Sequence, residues 1–328
     1  MTTARMTGHG DDRPPGDADL RGLYGPGSEA WALNREAMLL LGAGPRALLL
    51  QLAHPAVAAG VADHSDFRSD PWRRLQDTLD SYLRIVYGTT TAARAEIRRL
   101  NELHRSITGP TYRARDPELS LWVHATLVDS TIVVADAWLE PLSRARRAAY
   151  YSETLAIGRA FGIPASLLPA DLAAFEAYLA AALSPSGPVQ VGDTARELAD
   201  AVLHPPLGPV IPALRWLPPS TYAWTLWPSV GLLPPAVREG YGLRWGARER
   251  LVAAWLVRVW TGWRGLLPVG LRQMPQALAA DRRISSTVRS RRVMSAAAAP
   301  PGGRWSSSGR RIDSTHDVNV DSWSDPSA

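Results

Sequence analysis

Between residues 51 and 130 the chain reads as four successive helices, each turning one polar group toward its own apolar face, and that pattern limits what it can fold into. In ARAEIRRLNELHRSITG, Ile97, Leu100, His104 and Ile107 recur at helical spacing, so the His104 ring shares a face with aliphatic side chains. In DPELSLWVHATLVDSTIVVAD, Leu121, His124, Ala125 and Val128 repeat the arrangement. In DPWRRLQDTLDSYLRIVYG, the inner face is Leu75, Thr78, Leu79, Tyr82 and Val86, with Arg74 one turn before Thr78. His54 precedes Pro55, so the helix it ends must kink or restart there.

A neutral imidazole taken out of water needs a hydrogen-bond partner or a metal, because an orphaned buried polar group costs roughly 1–3 kcal/mol. The plain explanation is that each histidine caps a neighbouring helix or pairs with a carboxylate such as Asp129 or Glu102. Asp63, Asp66, Asp77 and Asp129 are all near enough in sequence to orient a ring. Taken together, three inward histidines point instead to a site.

The boundaries of the helices are written in the same stretch. Ser28 offers an N-cap for a helix carrying Trp31, Leu33, Ala37, Met38 and Leu41, which Gly42 and Gly44 should stop, with Pro45 starting the next. Asp70-Pro71, the threonines after Gly88 and Asp116-Pro117 open three more helices, and Gly162 closes a later one. No segment reads as a strand, so the expected class is all-α, a single helical domain over 27–284 with a buried, bundle-like core. Residues 1–26 and 285–328 are polar and aperiodic and are expected to be disordered, dispensable segments.

Composition removes several functions. A net charge of +5, carried entirely by arginine on the basic side, is dispersed through amphipathic helices and a terminal tail, and no aromatic-basic module appears, so nucleic acid is not an expected partner. The absence of cysteine excludes disulfides, thiolate nucleophiles, zinc fingers and iron–sulfur clusters. The first residues lack a secretory pattern, which makes the cytoplasm the default location. The longest apolar stretches are broken by Arg46, His54, Arg258 and Arg264 and read as buried helices. Seven tryptophans between 216 and 263 suggest either core packing or an apolar surface for a greasy substrate or a membrane.

No phosphate-binding glycine loop, dinucleotide fingerprint, zinc-protease motif or nucleophile elbow is present. A closed zinc site draws its ligands from short spacings, whereas His54, His104 and His124 lie on separate helices. An interior lined by histidines, Arg74, Thr78 and Tyr82 suits a bulky hydrophobic cofactor better than a bare ion. Haem needs one axial histidine and an arginine or two for its propionates.

The ordered series HPAVAAGV, DPWRRLQDT, VYG, LHRSITG and LWVHATLVDS resembles the catalytic domain shared by mpaB-type oxygenases and latex-clearing rubber oxygenases, over about residues 28–283. The resemblance implies an all-helical fold holding one haem b, with O₂-dependent cleavage of a carbon–carbon double bond in an isoprenoid-like substrate. It makes His104 the axial iron ligand and matches Arg74 and Thr78 to an arginine–threonine pair that precedes it. On that basis Arg74 neutralises a propionate, Thr78 supports the pocket, and His54 and His124 stand behind them. The sequence departs from the rubber-oxygenase branch at Asn101, where that branch has arginine, and at Asp77, where it has lysine. These departures bear on rubber cleavage and leave haem binding in place. A haem-binding carrier or sensor of the same fold is the second expectation, and a haem-free protein with structural histidines the third.

Overall fold

The computed structural model describes residues 17–64, 71–204 and 223–297. Among the described residues all regular structure is helical, and β-type pairing is confined to two isolated bridges, Glu36 with Gln273 and Thr108 with Arg113. In order the helices are α1 (Asp17–Leu20), α2 (Glu29–Asn34), α3 (Ala37–Leu52), α4 (Pro55–His64), α5 (Pro71–Tyr87), α6 (Thr90–Arg105), α7 (Pro117–Trp138) and α8 (Arg144–Ala160). They continue as α9 (Leu172–Ala182), α10 (Asp193–Leu203), α11 (Trp227–Gly231), α12 (Pro235–Gly240), α13 (Ala247–Arg264), α14 (Val269–Arg272) and α15 (Pro275–Ala297). The protein is all-α, as its periodicity predicts.

The centre is the packing of α3 on α7. Gly42 and Gly44 do not stop the first long helix, and Pro45 does not start another: all three lie inside α3. The reason is at Gly42, where a Cβ would sit 2.2 Å from the Trp138 ring, so this glycine is a notch that lets an indole of α7 lie against the α3 backbone. The real break comes earlier, at Arg35 and Glu36, between α2 and α3. Arg46 is buried in the same interface, where it donates to Asp129 (2.7 Å), to Ser130 Oγ (2.9 Å) and to the Leu232 carbonyl (2.9 Å).

At its far end α3 turns into α4 through a corner of 102°. The last carbonyls of α3 cannot be met within the helix. Side chains meet two of them: Tyr241 donates its hydroxyl to Leu49 (2.6 Å), and Trp122 its indole N–H to Leu50 (3.2 Å). Among the described residues one single helix, α7, is long and apolar enough to cross a membrane, and 56% of that stretch is buried inside the protein.

Two expected boundaries shift. Residues 17–26, expected to be disordered, carry α1 and contacts to the core: the Asp19 carboxylate accepts from the Thr91 amide (2.7 Å) and hydroxyl (2.8 Å), and Tyr24 packs against both main apolar clusters. At the other end, α15 continues past residue 284 to Ala297. The chain divides between residues 287 and 288 into two compact units. Residues 1–16 and 298–328 of the two expected tails lie outside the described residues.

The tryptophans of 216–263 divide between two roles. Trp260 stacks edge-on against Trp138 at 5.3 Å and Trp245 packs over Gly231, whereas Trp255 and Trp263 are 58% and 61% exposed. Trp216 lies outside the described residues.

Two outcomes test this arrangement. Gly42→Ala is expected to destabilise the protein by about 1–3 kcal/mol in urea titration, because a methyl group must displace an indole that has nowhere to go. Deleting residues 1–26 is expected to lower thermal stability, with a loss of about 2–4 kcal/mol from the helix cap at Thr91 and the packing of Tyr24.

Candidate functional site

The site expected around Arg74, Thr78 and His104 rests on one antiparallel hairpin. α5 ends at Gly88, and Thr89 caps α6 by accepting from the Ala92 amide (3.1 Å), so the two helices fold back on each other with almost no loop. Their cross-contacts fix the register. Arg84 donates to Glu96 (3.1 Å), and Arg99 donates to Ser81 (3.0 Å). The Arg99 guanidinium beside Glu96 holds that carboxyl down at about 2. Each step toward the start of α5 is therefore matched by one toward the end of α6. The cross-contacts run as far as Ser81 and Arg99; Thr78 lies on α5 before the first and His104 on α6 beyond the second.

The inner face of α6 follows its periodicity. Ile97 is buried, Leu100, Asn101 and His104 are half-buried, and the intervening residues 98, 99, 102 and 103 are exposed. Asn101, one turn before His104, donates to the Ala160 carbonyl at the end of α8 (2.9 Å), which ties this stripe of α6 to α8.

On α5 the reading needs correction. Thr78 is exposed, not on the buried face with Tyr82 and Val86. Ile85, two turns further along on the same side, is buried, so α6 and its neighbours cover this side of α5 near Gly88 and leave it open near Thr78. Tyr82 does face inward, but its hydroxyl donates to Asn34 (2.6 Å), whose own amide donates to the Ala30 carbonyl (2.9 Å). It belongs to a buried polar network with Tyr150, whose phenol burial pushes up to about 12.

His54 stands at the corner between α3 and α4. Its Nδ1 accepts from the Ala56 amide (3.3 Å), so it caps the restarted helix by bonding an orphan N–H, the plain explanation offered for it. Burial pushes its pKa down. Accepting at Nδ1 puts the proton of the neutral ring on Nε2, the tautomer that leaves no lone pair there for a metal.

His124 is the most deeply placed of the three. Among the described residues its Nε2 has no hydrogen-bond partner, and burial alone pushes its pKa down to about 4. The ring lies against α8 at Gly158, where an added Cβ would be 3.5 Å from Nε2 and 3.0 Å from Leu168. Gly158 is an α8 neighbour of the ring that the sequence did not single out: a Cβ there would meet the imidazole at ordinary van der Waals distance and Leu168 more tightly.

The carboxylates that might have explained the histidines are committed elsewhere. Asp129 pairs with Arg46 (2.7 Å), Asp63 accepts from Tyr112 (2.7 Å), Glu102 pairs with Arg105 (3.0 Å), and exposed Asp77 lies 4.0 Å from Arg73. Asp66 lies outside the described residues. Among the described residues, no three His, Asp or Glu side chains converge as a metal cage. A single imidazole on a half-buried aliphatic stripe, as at His104, is a donor that a haem would be able to use.

Comparison with known proteins shows the family. The family described as "ER-bound oxygenase mpaB/B'/Rubber oxygenase, catalytic domain" matches residues 31–263. Two uncharacterized mycobacterial proteins, Mb2261 of Mycobacterium bovis and Rv2237 of Mycobacterium tuberculosis, are each 27% identical over 223 residues, covering 65% of this chain and 84% of theirs. No solved structure matches.

The buried imidazole makes stability depend on pH in a definite direction. With its folded pKa near 4 and an unfolded value near 6.5, His124 binds its proton more readily in the unfolded chain, so its contribution is complete above about pH 6.5 and is lost as pH falls toward 4. Between pH 7 and pH 4.5 that loss is about 2 kcal/mol. Urea titrations at the two pH values are expected to show His124→Leu losing less stability than the wild type by about this amount; an equal loss would mean that the ring is not the titrating group.

Proposed function

The chain belongs to the mpaB and rubber oxygenase family through a catalytic domain at residues 31–263, and on that premise we propose that it is a haem b-dependent oxygenase cleaving a carbon–carbon double bond in a hydrophobic, isoprenoid-like alkene. The observation that supports this reading is the α5–α6 hairpin, which carries Arg74 and Thr78 on one helix and His104 on the other. When bound, haem supplies the centre that activates O₂.

The protein's part is to hold and enclose. His104 is the iron ligand in this reading, presented from a face that also carries Ile97 and Leu100, aliphatic groups that keep water from the site. Arg74 neutralises a propionate with a guanidinium that stays charged at any working pH. Thr78 stands on the open side of α5, where it can meet a ligand, and its exposure fits that task better than the buried position expected from periodicity. His54 and His124 act at a distance from the iron, holding the α4 corner and the α7–α8 contact that back the hairpin.

A carrier or sensor that binds haem without turnover is the second reading, and Asn101 and Asp77 favour it. Asn101 spends its amide on a backbone carbonyl, and Asp77 is an exposed carboxylate, at the two positions where the rubber-oxygenase branch has cations.

Purified protein is expected to show a Soret band after reconstitution with haem. His104→Ala should abolish or shift that band, while His54→Ala and His124→Ala keep it and lose roughly 1–3 kcal/mol of stability. A wild type with no Soret band sinks the haem reading, and an unchanged band in His104→Ala moves the ligand elsewhere. Oxygen consumption with an isoprenoid alkene separates the oxygenase from the carrier.

A further inference from the structure

α13 is amphipathic in the reverse sense from a core helix. Its inner side, with Ala253 and Leu256 buried and Trp260 against Trp138, is anchored to the body of the protein. Its outer side repeats Arg248, Leu251, Trp255 and Arg258 at steps of three and four residues, so apolar and basic groups share one face. Leu251 is 71% exposed and Trp255 58%. The apolar surface continues past the end of the helix through Trp263, Leu266, Val269 and Leu271, with Leu266 77% and Leu271 69% exposed. Isolated exposed leucines are ordinary on a protein surface; six large apolar side chains along one helix and its continuation mark a surface made to meet something.

The charge around it identifies the partner. From residue 241 to 280 the chain has six arginines and one acid, Glu249, a net +5 that equals the charge of the whole protein. Arg264 and Arg272 are directed at Glu36, but Arg244, Arg248, Arg250 and Arg258 are exposed and make no ion pair among the described residues. We propose that this face docks on an anionic lipid bilayer, with Trp255 and Trp263 at the headgroup level, Leu251, Leu266 and Leu271 below them, and the arginines on lipid phosphates. Tryptophan is the side chain best suited to that boundary, and arginine can leave its stem in the apolar layer while its head stays among phosphates. A second copy of the chain is a poorer occupant, because two-fold pairing of this face would set arginine against arginine.

Co-sedimentation of the full-length protein with vesicles of phosphatidylglycerol and phosphatidylcholine tests the proposal. Binding should be strong at low salt, weaken as salt is raised, and be much weaker on pure phosphatidylcholine. Arg248→Gln and Arg258→Gln should each weaken it roughly fivefold, and Trp255→Glu with Trp263→Glu should abolish it while the far-ultraviolet circular dichroism is unchanged. No binding to the anionic vesicles, or binding that survives the tryptophan substitutions, overturns the proposal. So does a dimer in sedimentation equilibrium that the same substitutions dissolve, since the face would then belong to a second copy.

Discussion

The structure depends on a charge buried between its two central helices. A guanidinium taken out of water is costly unless its donors are met, and Arg46 meets that condition with one carboxylate, one hydroxyl and one carbonyl, from Asp129 and Ser130 on α7 and Leu232 beyond α11. Those partners come from two separate parts of the chain, so the ion pair fixes how α3 lies along α7 and where the segment after α11 must return. The Trp138 ring in the notch at Gly42 supplies the shape half of the same contact. A helix pair held only by leucines could slide by a turn at modest cost; this pair cannot, because sliding would leave the guanidinium unpaired.

That constraint also shows why parts of the fold were legible in the sequence and others were not. Local chemistry is visible locally. Thr89 and Asp116 cap the helices they were expected to cap, Ser28 caps a helix that ends at Asn34, short of the expected Leu41, and Gly162 adopts the left-handed conformation that follows α8. The face of α6 was legible too, since period 3.6 sorts Ile97, Leu100 and His104 together whatever packs there. What the sequence conceals is the reason for a residue that another helix imposes. Gly42 and Pro45 look like a helix boundary because their partner, Trp138, is nearly a hundred residues away. Thr78 looks buried because periodicity reports which residues share a side, not how far along that side the cover extends.

The candidate site divides the same way. That each histidine turns inward could be read from spacing. That His54 caps the restarted helix was among the plain readings, since the bond spans two residues; that His124 lies against Gly158 of α8 was not legible, because it depends on a contact across elements. His54 is engaged with the Ala56 amide and His124 lies against Gly158, whereas His104 sits on the half-buried stripe of α6 within the family-matched residues 31–263.

The Tyr87 end of α5 is a junction of several elements. Tyr87 donates to the Trp31 carbonyl of α2, Tyr82 to Asn34 of α2 and Arg84 to Glu96 of α6, while Arg283 of α15 donates to the Tyr87 carbonyl. Four helices therefore share one knot of bonds, and a substitution at Trp31 or Tyr87 loosens α2, α5 and α15 together where it touches only one of them in sequence.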